Sequence, residues 1–455
     1  MLTEIKSACD LAHRRLKASQ QITWQHSLSC CWSLSTDTHA NPDQCLDLTG
    51  LFSVRAEKDG LNAMFLDRQR LFDGACAAAI FCLATVPLAM PTEAATPFSE
   101  LQQQIDTLRQ THRIPGASIA VIDDGSISWA RGFGVADLAS GRPMTADTLF
   151  QAQSITKTLT ALATVKLLAI KGIALDEPVN RYLEDWTIPE NGYTARVPVS
   201  FRMLLNHTAA LSNPYPDGCC GPKETLPTMQ QVLRGLPPAN NEPLTVERIP
   251  GSRFDYCNGC YTVLQMALES ISNQSFQALM QELVLTPSTM SRSTFNNNFF
   301  LNDNSSIAIP YDIDDQPHPR APMRHPILST GLMWSTASDL ARFNLAFAKA
   351  LNSSHILIEQ PLAQQLSIPS STYTRSLGFF IGNRNADSQA RGRYLFHSGS
   401  GNGYLSLSMI SLDGDNGAVI LINKAPNPWT TTNIPQFAFI KGSLELIGDE
   451  GEWPD

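Results

Sequence analysis

The sequence predicts an α+β fold, with one antiparallel sheet assembled from both ends of the chain, flanked by helices, and a mostly helical second lobe between them. Three features carry this reading. Two β-rich runs lie between residues 117 and 137, residues 200–350 mix helical stretches with Pro- and Asn-rich connections, and after residue 375 the pattern changes to short alternating runs. Active sites favour the seam between such lobes.

In chain order, FSELQQQIDTLRQTHR (residues 98–113) places Phe98, Leu101, Ile105 and Leu108 on one side of a helix, which IPG ends. ASIAVIDDGSISWARGFGVAD then reads as two strands turning at Asp124-Gly125, a hairpin signal. A strongly apolar helix follows over residues 154–172, and LDEPVNRYLEDW reads as loop and short helix. In the middle segment TVLQMALESIS and TASDLARFNLAFAKAL are helical. SLGFFIGN, RYLFHSG, GYLSLSMISLD and GAVILINK read as consecutive antiparallel strands, with Asp413-Gly414 and Asn416-Gly417 at a turn. A last helix is expected over residues 435–447, and no internal repeat is present.

The 455 residues carry a net charge of −9 with scattered basic residues, which gives no support for nucleic-acid binding. MFLDRQRLFDGACAAAIFCLATVPLAMPTEAA (residues 64–95) has two arginines, an apolar run and small residues suited to cleavage after Ala94, the layout of a secretory signal peptide. Asp73 runs against the positive flank of such a signal, and a buried core helix is the alternative. The run contains Pro87 and is short for a membrane span of roughly twenty residues, so no stable span is expected. The organisation expected is a poorly defined leader over residues 1–63, outside the mature protein if translation starts at Met64, a signal peptide over 64–95, and one domain over 96–450. The expected location is periplasmic or secreted. Four cysteines fall in that domain, Cys219 and Cys220 in DGCCGP and Cys257 and Cys260 in YCNGC. In an exported protein they read as one or two disulfides joining the two clusters, with a four-thiolate zinc site as the rival and free buried thiols as the plain alternative.

FQAQSITKTLT (residues 150–160) sets Ser154 and Lys157 one helical turn apart at the start of the apolar helix. A serine hydroxyl is a weak nucleophile until a base takes its proton, and a lysine is such a base only when burial or a nearby cation lowers its pKa. Alone, the pair reads rather as a helix-start serine with a solvated lysine. Tyr256 and Asn258, two apart in an extended segment, share a side; His397, Ser398 and Gly399 lie at a strand end among glycines 399, 401 and 403 that let a substrate backbone approach. Each also has a plain reading: core aromatic, turn amide, satisfied strand histidine.

Together and in this order the three segments resemble the signature motifs of the penicillin-recognising serine hydrolases, the superfamily of class C β-lactamases, serine D-alanyl-D-alanine carboxypeptidases and related esterases. The resemblance spans about residues 97–441 and includes IPGASIAVI, FGVADLASGRPMTADTLF, LLNHTAAL, PGSRFDYCNGCY, GLMWSTASDLARF and FHSGSGNGYLS. It implies a β-lactamase-like fold and a serine hydrolase acting on an amide or ester through an acyl-enzyme, with a non-hydrolytic penicillin-binding sensor or scaffold as the alternative. It makes Ser154 the nucleophile, Lys157 the base, alone or with Tyr256, and Tyr256 the proton donor to the leaving group. Asn258 would orient Lys157 and bind the substrate amide, and the N–H groups of Ser154 and Ser400 would form the oxyanion hole. No metal or other cofactor is required; the partner is a small-molecule or peptide substrate, and oligomeric state is not legible. Where class C enzymes usually carry lysine, this chain has His397, which implies weaker carboxylate recognition that varies between pH 5 and 8. LLNHTAAL lacks the usual Ser-Gly after its histidine-threonine, and His207 reads as structural. A cross-link from Cys257 or Cys260 to Cys219 or Cys220 would pin a cleft loop beside Tyr256.

Overall fold

Ser99–Thr111 forms α1, its Leu101 and Ile105 buried at helical spacing, and the chain then enters the first two strands, β1 (Gly116–Asp123) and β2 (Ser126–Asp137). Asp124 and Gly125 both take positive φ, 49° and 69°, as a turn whose twist matches its flanking strands requires. The computed structural model describes residues 98–214, 220–221, 224–301, 304–319, 322–369, 375–383, 393–426 and 435–449. The leader and signal peptide expected over residues 1–95 lie outside them. The chain divides into two units, residues 101–455 with 1–20, and residues 21–100. Only residues 98–100 of the second are described.

The sheet has seven strands in the order β3-β2-β1-β9-β8-β7-β6. Its outer strands are β3 (Arg142–Pro143) and β6 (Phe380–Asn383), and its C-terminal set continues through β7 (Arg393–Gly401), β8 (Tyr404–Ser411) and β9 (Gly417–Ile422). The two ends of the chain meet where β1 pairs antiparallel with β9, Ala117 opposite Ile422. β8 and β9 are buried at every residue, so both faces of the sheet centre are covered. The β7–β8 hairpin turns on Asn402 and Gly403, with φ of 52° and 78°. α9 (Pro435–Asp449) touches α1 where Gly442 meets Leu108, so close that an added Cβ would sit 2.7 Å from Leu108 Cδ2.

The middle of the chain supplies the helical lobe. A short ribbon of β4 (Phe150–Gln151) and β5 (Trp334–Ser335) leads into a 3-10 turn, Gln153–Ile155, and then α2, Thr156–Lys171. α2 is buried on nearly all sides, as expected of a helix apolar all round. Against it lie α5 (Asn258–Ser272) and α6 (Phe276–Met280), with α3 (Phe201–Leu205) and α4 (Met229–Arg234) packed on α5. α7 (Ala337–Asn352) lies against the sheet, Asn344 Nδ2 donating to Ser408 Oγ at 3.0 Å, and α8 is Gln360–Ser367. No helix among the described residues is long and apolar enough to cross a membrane.

Candidate active site

The turn before α2 exposes one side chain. In residues 148–165 only Ser154 is not buried. Gln153 before it takes a left-handed backbone, φ 52°, a strained conformation for a residue with a Cβ. Strand β7 crosses this turn closely: a Cβ on Gly399 would lie 2.7 Å from both Ala152 O and Gln153 Cβ. The glycine therefore accommodates the protein's own turn at Ala152 and Gln153, where the sequence reading assigned the glycines of this segment to substrate approach. Ser406 Oγ, on β8, donates to Ala152 O at 2.9 Å and fastens the same turn.

Lys157 is fully buried and its Nζ donates to Ser154 Oγ at 3.1 Å and to the carbonyl of Thr330 at 2.6 Å. Nζ also lies 5.2 Å from the centre of the Tyr256 ring and 5.6 Å from that of Tyr261. Burial lowers its pKa from 10.5 to about 7. The amide of Asn258 is not among its partners. The Thr330 carbonyl takes that place, held by Ser329, whose Oγ donates to Tyr261 O at 2.9 Å and whose carbonyl accepts from Thr160 Oγ1 at 3.0 Å.

Tyr256 is gripped from several directions. Its ring stacks on His207, centroids 4.5 Å apart and planes 29° apart. His207 Nδ1 accepts the N–H of Cys257 at 3.1 Å, so the histidine read as structural also braces the tyrosine loop. Asn213, unremarked in the sequence, donates Nδ2 to Tyr256 O at 3.0 Å and accepts the N–H groups of Asn258 and Gly259 with Oδ1. Asn258 is the first residue of α5 and is partly exposed. Burial raises the Tyr256 phenol far above 10, with the Ser154 hydroxyl pulling the other way. Burial, then the charge of Lys157, lowers His207 well below 6.5.

The cysteines depart from the expected cross-link. Cys257 and Cys260 are bonded to each other, with Cα atoms 5.3 Å apart. Cys257 caps α5 and Cys260 sits three residues on, so their side chains meet across the first turn as in a capping box. Cys220 is disulfide-bonded, hence to neither of these, and Cys219 lies outside the described residues. The pairing also consumes two thiolates that a four-cysteine zinc site would need.

The third motif lies on β7, which pairs with β6 from Arg393 opposite Asn383 to Phe396 opposite Phe380, while residues 397–401 pair with β8. Ser398 and Ser400 are partly exposed, while His397 and Gly399 are buried. His397 Nδ1–H donates to Ser398 O at 2.6 Å. Burial, then the charge of Lys157, lowers its pKa to about 3. His397 is therefore neutral throughout pH 5–8, and the expected pH-dependent carboxylate recognition does not follow from it.

An antiparallel sheet closed by both chain ends, with Ser-x-x-Lys at the head of a buried helix beside its last strands, is the architecture of the penicillin-recognising serine hydrolases. The sequence model of the family described as Beta-lactamase matches residues 101–439, and the chain belongs to that family. Esterase EstB of Burkholderia gladioli is 31% identical over 243 residues, 51% of this chain and 59% of that protein. Protein flp of Staphylococcus aureus (strain MRSA252) is 24% identical over 346 residues, 71% of this chain and 63% of that protein. The match thus spans about 60% of each relative's length. The octameric penicillin-binding protein homologue from Pyrococcus abyssi superposes with a TM-score of 0.61 at 23% identity, covering 77% of both chains. D-amino acid amidase from Ochrobactrum anthropi SV3 gives 0.61 at 18% identity, covering 76% of this chain and 98% of its own. At these identities the two structures speak for the fold alone.

Proposed function

We propose that the protein is a serine hydrolase that cleaves an amide or ester through an acyl-enzyme on Ser154. The observation that carries the reading is the contact of a desolvated Lys157 amine with the partly exposed hydroxyl of Ser154, at 3.1 Å. Neutral Lys157 takes the Ser154 proton as Oγ attacks the carbonyl carbon. Charge developing on the carbonyl oxygen is met by the N–H groups of Ser154 and Ser400; losing one such donor typically costs roughly a hundred- to a thousandfold in rate. The bond to the leaving group then breaks. Tyr256, whose phenol stays protonated, gives its proton to the departing atom and recovers one from the Lys157 ammonium. Water attacks the acyl-enzyme by the reverse path, and Asn258 with residues 397–400 of β7 hold the substrate.

The likeness to Esterase EstB supports an ester among the substrates considered, which are esters and D-amino peptides, with β-lactams third. The layout of residues 64–95 supports export to the periplasm or beyond, which N-terminal sequencing of exported protein tests. For the chemistry, the protein is exposed to a fluorescent penicillin and a chromogenic short-chain ester, with intact-mass detection of adducts. Turnover lost in Ser154→Ala is the expected result. A stable adduct on Ser154 without turnover would instead identify a penicillin-binding sensor, and turnover surviving in Ser154→Ala would end the reading.

A further inference from the structure

Lys157 depends on a backbone carbonyl whose own position is set from elsewhere in the fold. Its Nζ donates to Thr330 O at 2.6 Å and to Ser154 Oγ at 3.1 Å. An ammonium has three N–H groups; once neutral, the amine keeps two of them and a lone pair. It takes the Ser154 proton only while that lone pair faces Oγ, so its N–H groups must point elsewhere, and the Thr330 carbonyl is the acceptor that fixes one of them. Residues 326–330, which deliver this carbonyl, belong to no helix or strand.

The segment is held instead by Gln265, a buried amide on α5. Its Oε1 accepts the N–H groups of Leu328 and Ser329 at 2.8 and 3.1 Å, and its Nε2 donates to Pro326 O at 3.3 Å. The same amide hydrogen-bonds the Glu269 carboxyl, one turn further along α5. From the other side Thr160 Oγ1, on α2 one turn beyond Lys157, donates to Ser329 O at 3.0 Å. The chain is thus pinned between α5 and α2 one residue before Thr330. A buried N–H left without a partner costs its full desolvation, so removing the Gln265 amide forces the segment to shift.

On the hydrolase reading above, we infer that Gln265 is a positioning residue: by holding three backbone groups of residues 326–329 it sets the Thr330 carbonyl on Lys157, and so aims the lone pair of the amine at Ser154.

The groups that face Lys157 are Tyr256, Tyr261, His207 and His397. Burial keeps both phenols protonated and both imidazoles neutral from pH 5 to 8, so the acid limb of kcat/KM reports Lys157 itself. The carbonyl favours the ammonium, and its loss moves the midpoint down.

The test is the pH profile of the full chain on a neutral chromogenic ester. Gln265→Met, similar in length but unable to bind the three backbone groups, is expected to lower kcat about tenfold with KM nearly unchanged. Its midpoint is expected to fall by about one unit from the wild-type value near 7. Thr160→Val, which removes the opposite anchor, is expected to move the midpoint the same way by less, and Thr160→Ser, which restores the hydroxyl, to return it. Circular dichroism checks that each variant folds; should Gln265→Met not fold, the comparison of Thr160→Val with Thr160→Ser decides. A midpoint that stays near 7, or rises as water admitted by mere loosening would make it, overturns the inference and leaves the hydrolase reading intact. No turnover in the wild type overturns both.

Discussion

Lys157 provides the sharpest test of the proposed chemistry. Burial lowers its pKa from 10.5 to about 7, a fall of about 3.5 units, or roughly 5 kcal/mol against the buried ammonium at about 1.36 kcal/mol per unit. The unfolded chain keeps this proton up to about pH 10.5, whereas the folded chain loses it near 7. Stability therefore rises with pH between those values, and the fold carries the penalty in full below 7. For the reaction the effect is favourable. At pH 7 about half of the amine is free base, against roughly 3 in 10,000 for an exposed lysine. The expected profile of kcat/KM on a neutral ester rises about tenfold per pH unit on the acid side, turns near pH 7 and then levels. Neither His397, already neutral, nor Tyr256, still protonated, adds a step between pH 5 and 8. Arg at position 157 cannot release its proton, so Lys157→Arg is expected to lose about a hundred- to ten-thousandfold in rate. Stopped-flow or steady-state assays from pH 5 to 9.5 decide the matter. A flat profile, a midpoint near 10, or Lys157→Arg retaining more than about a tenth of the rate would refute a base made by desolvation.

Three other perturbations follow from the same geometry. Asn213→Ala removes the hydrogen bonds that hold the backbones of Tyr256, Asn258 and Gly259; kcat should fall roughly tenfold with the pH midpoint unmoved, and a shifted midpoint would count against a role confined to the tyrosine loop. Opening the Cys257–Cys260 bond with a reductant, or by Cys257→Ala with Cys260→Ala, should cost roughly 2 kcal/mol from closure of so short a loop. Urea titration of oxidised and reduced protein measures it, and coincident curves would argue that the bond is not formed in solution. Gly378→Ala places a methyl 2.4 Å from Ala161 Cβ at a φ of 81°. It should destabilise by about 2–4 kcal/mol, and a loss within about 0.5 kcal/mol, the range of an ordinary surface change, would show that the wall behind Lys157 yields.

Much of the architecture was open to reading because it is local. The alternation in residues 393–424 and the turn chemistry of Asp124-Gly125 depend on neighbours a few positions away, and β1, β2, β7, β8 and β9 stand close to where those patterns place them. The spacing of Ser154 and Lys157 is likewise a property of one helical turn. The three-motif order was legible too, but only as a resemblance. Thr330 was not, because its carbonyl offers no side-chain signal and meets Lys157 across 173 residues. His207 read as a structural histidine and Asn213 drew no reading, since their contacts with the Tyr256 segment are made 43 to 50 residues away in sequence. Reading four cysteines as two clusters to be joined failed at Cys257 and Cys260 because helix-cap geometry pairs near neighbours before distant ones.

Taken alone, then, the sequence determined which segments become helix or strand, and that a hydroxyl and an amine share one turn. Only the tertiary structure decided that the amine loses its charge near neutral pH, that His397 carries none, and that His207 and Asn213 hold the Tyr256 segment. The physical reason is range. Backbone periodicity is settled within a few residues, whereas ionisation depends on every dipole, ring and excluded water that packing brings around a group.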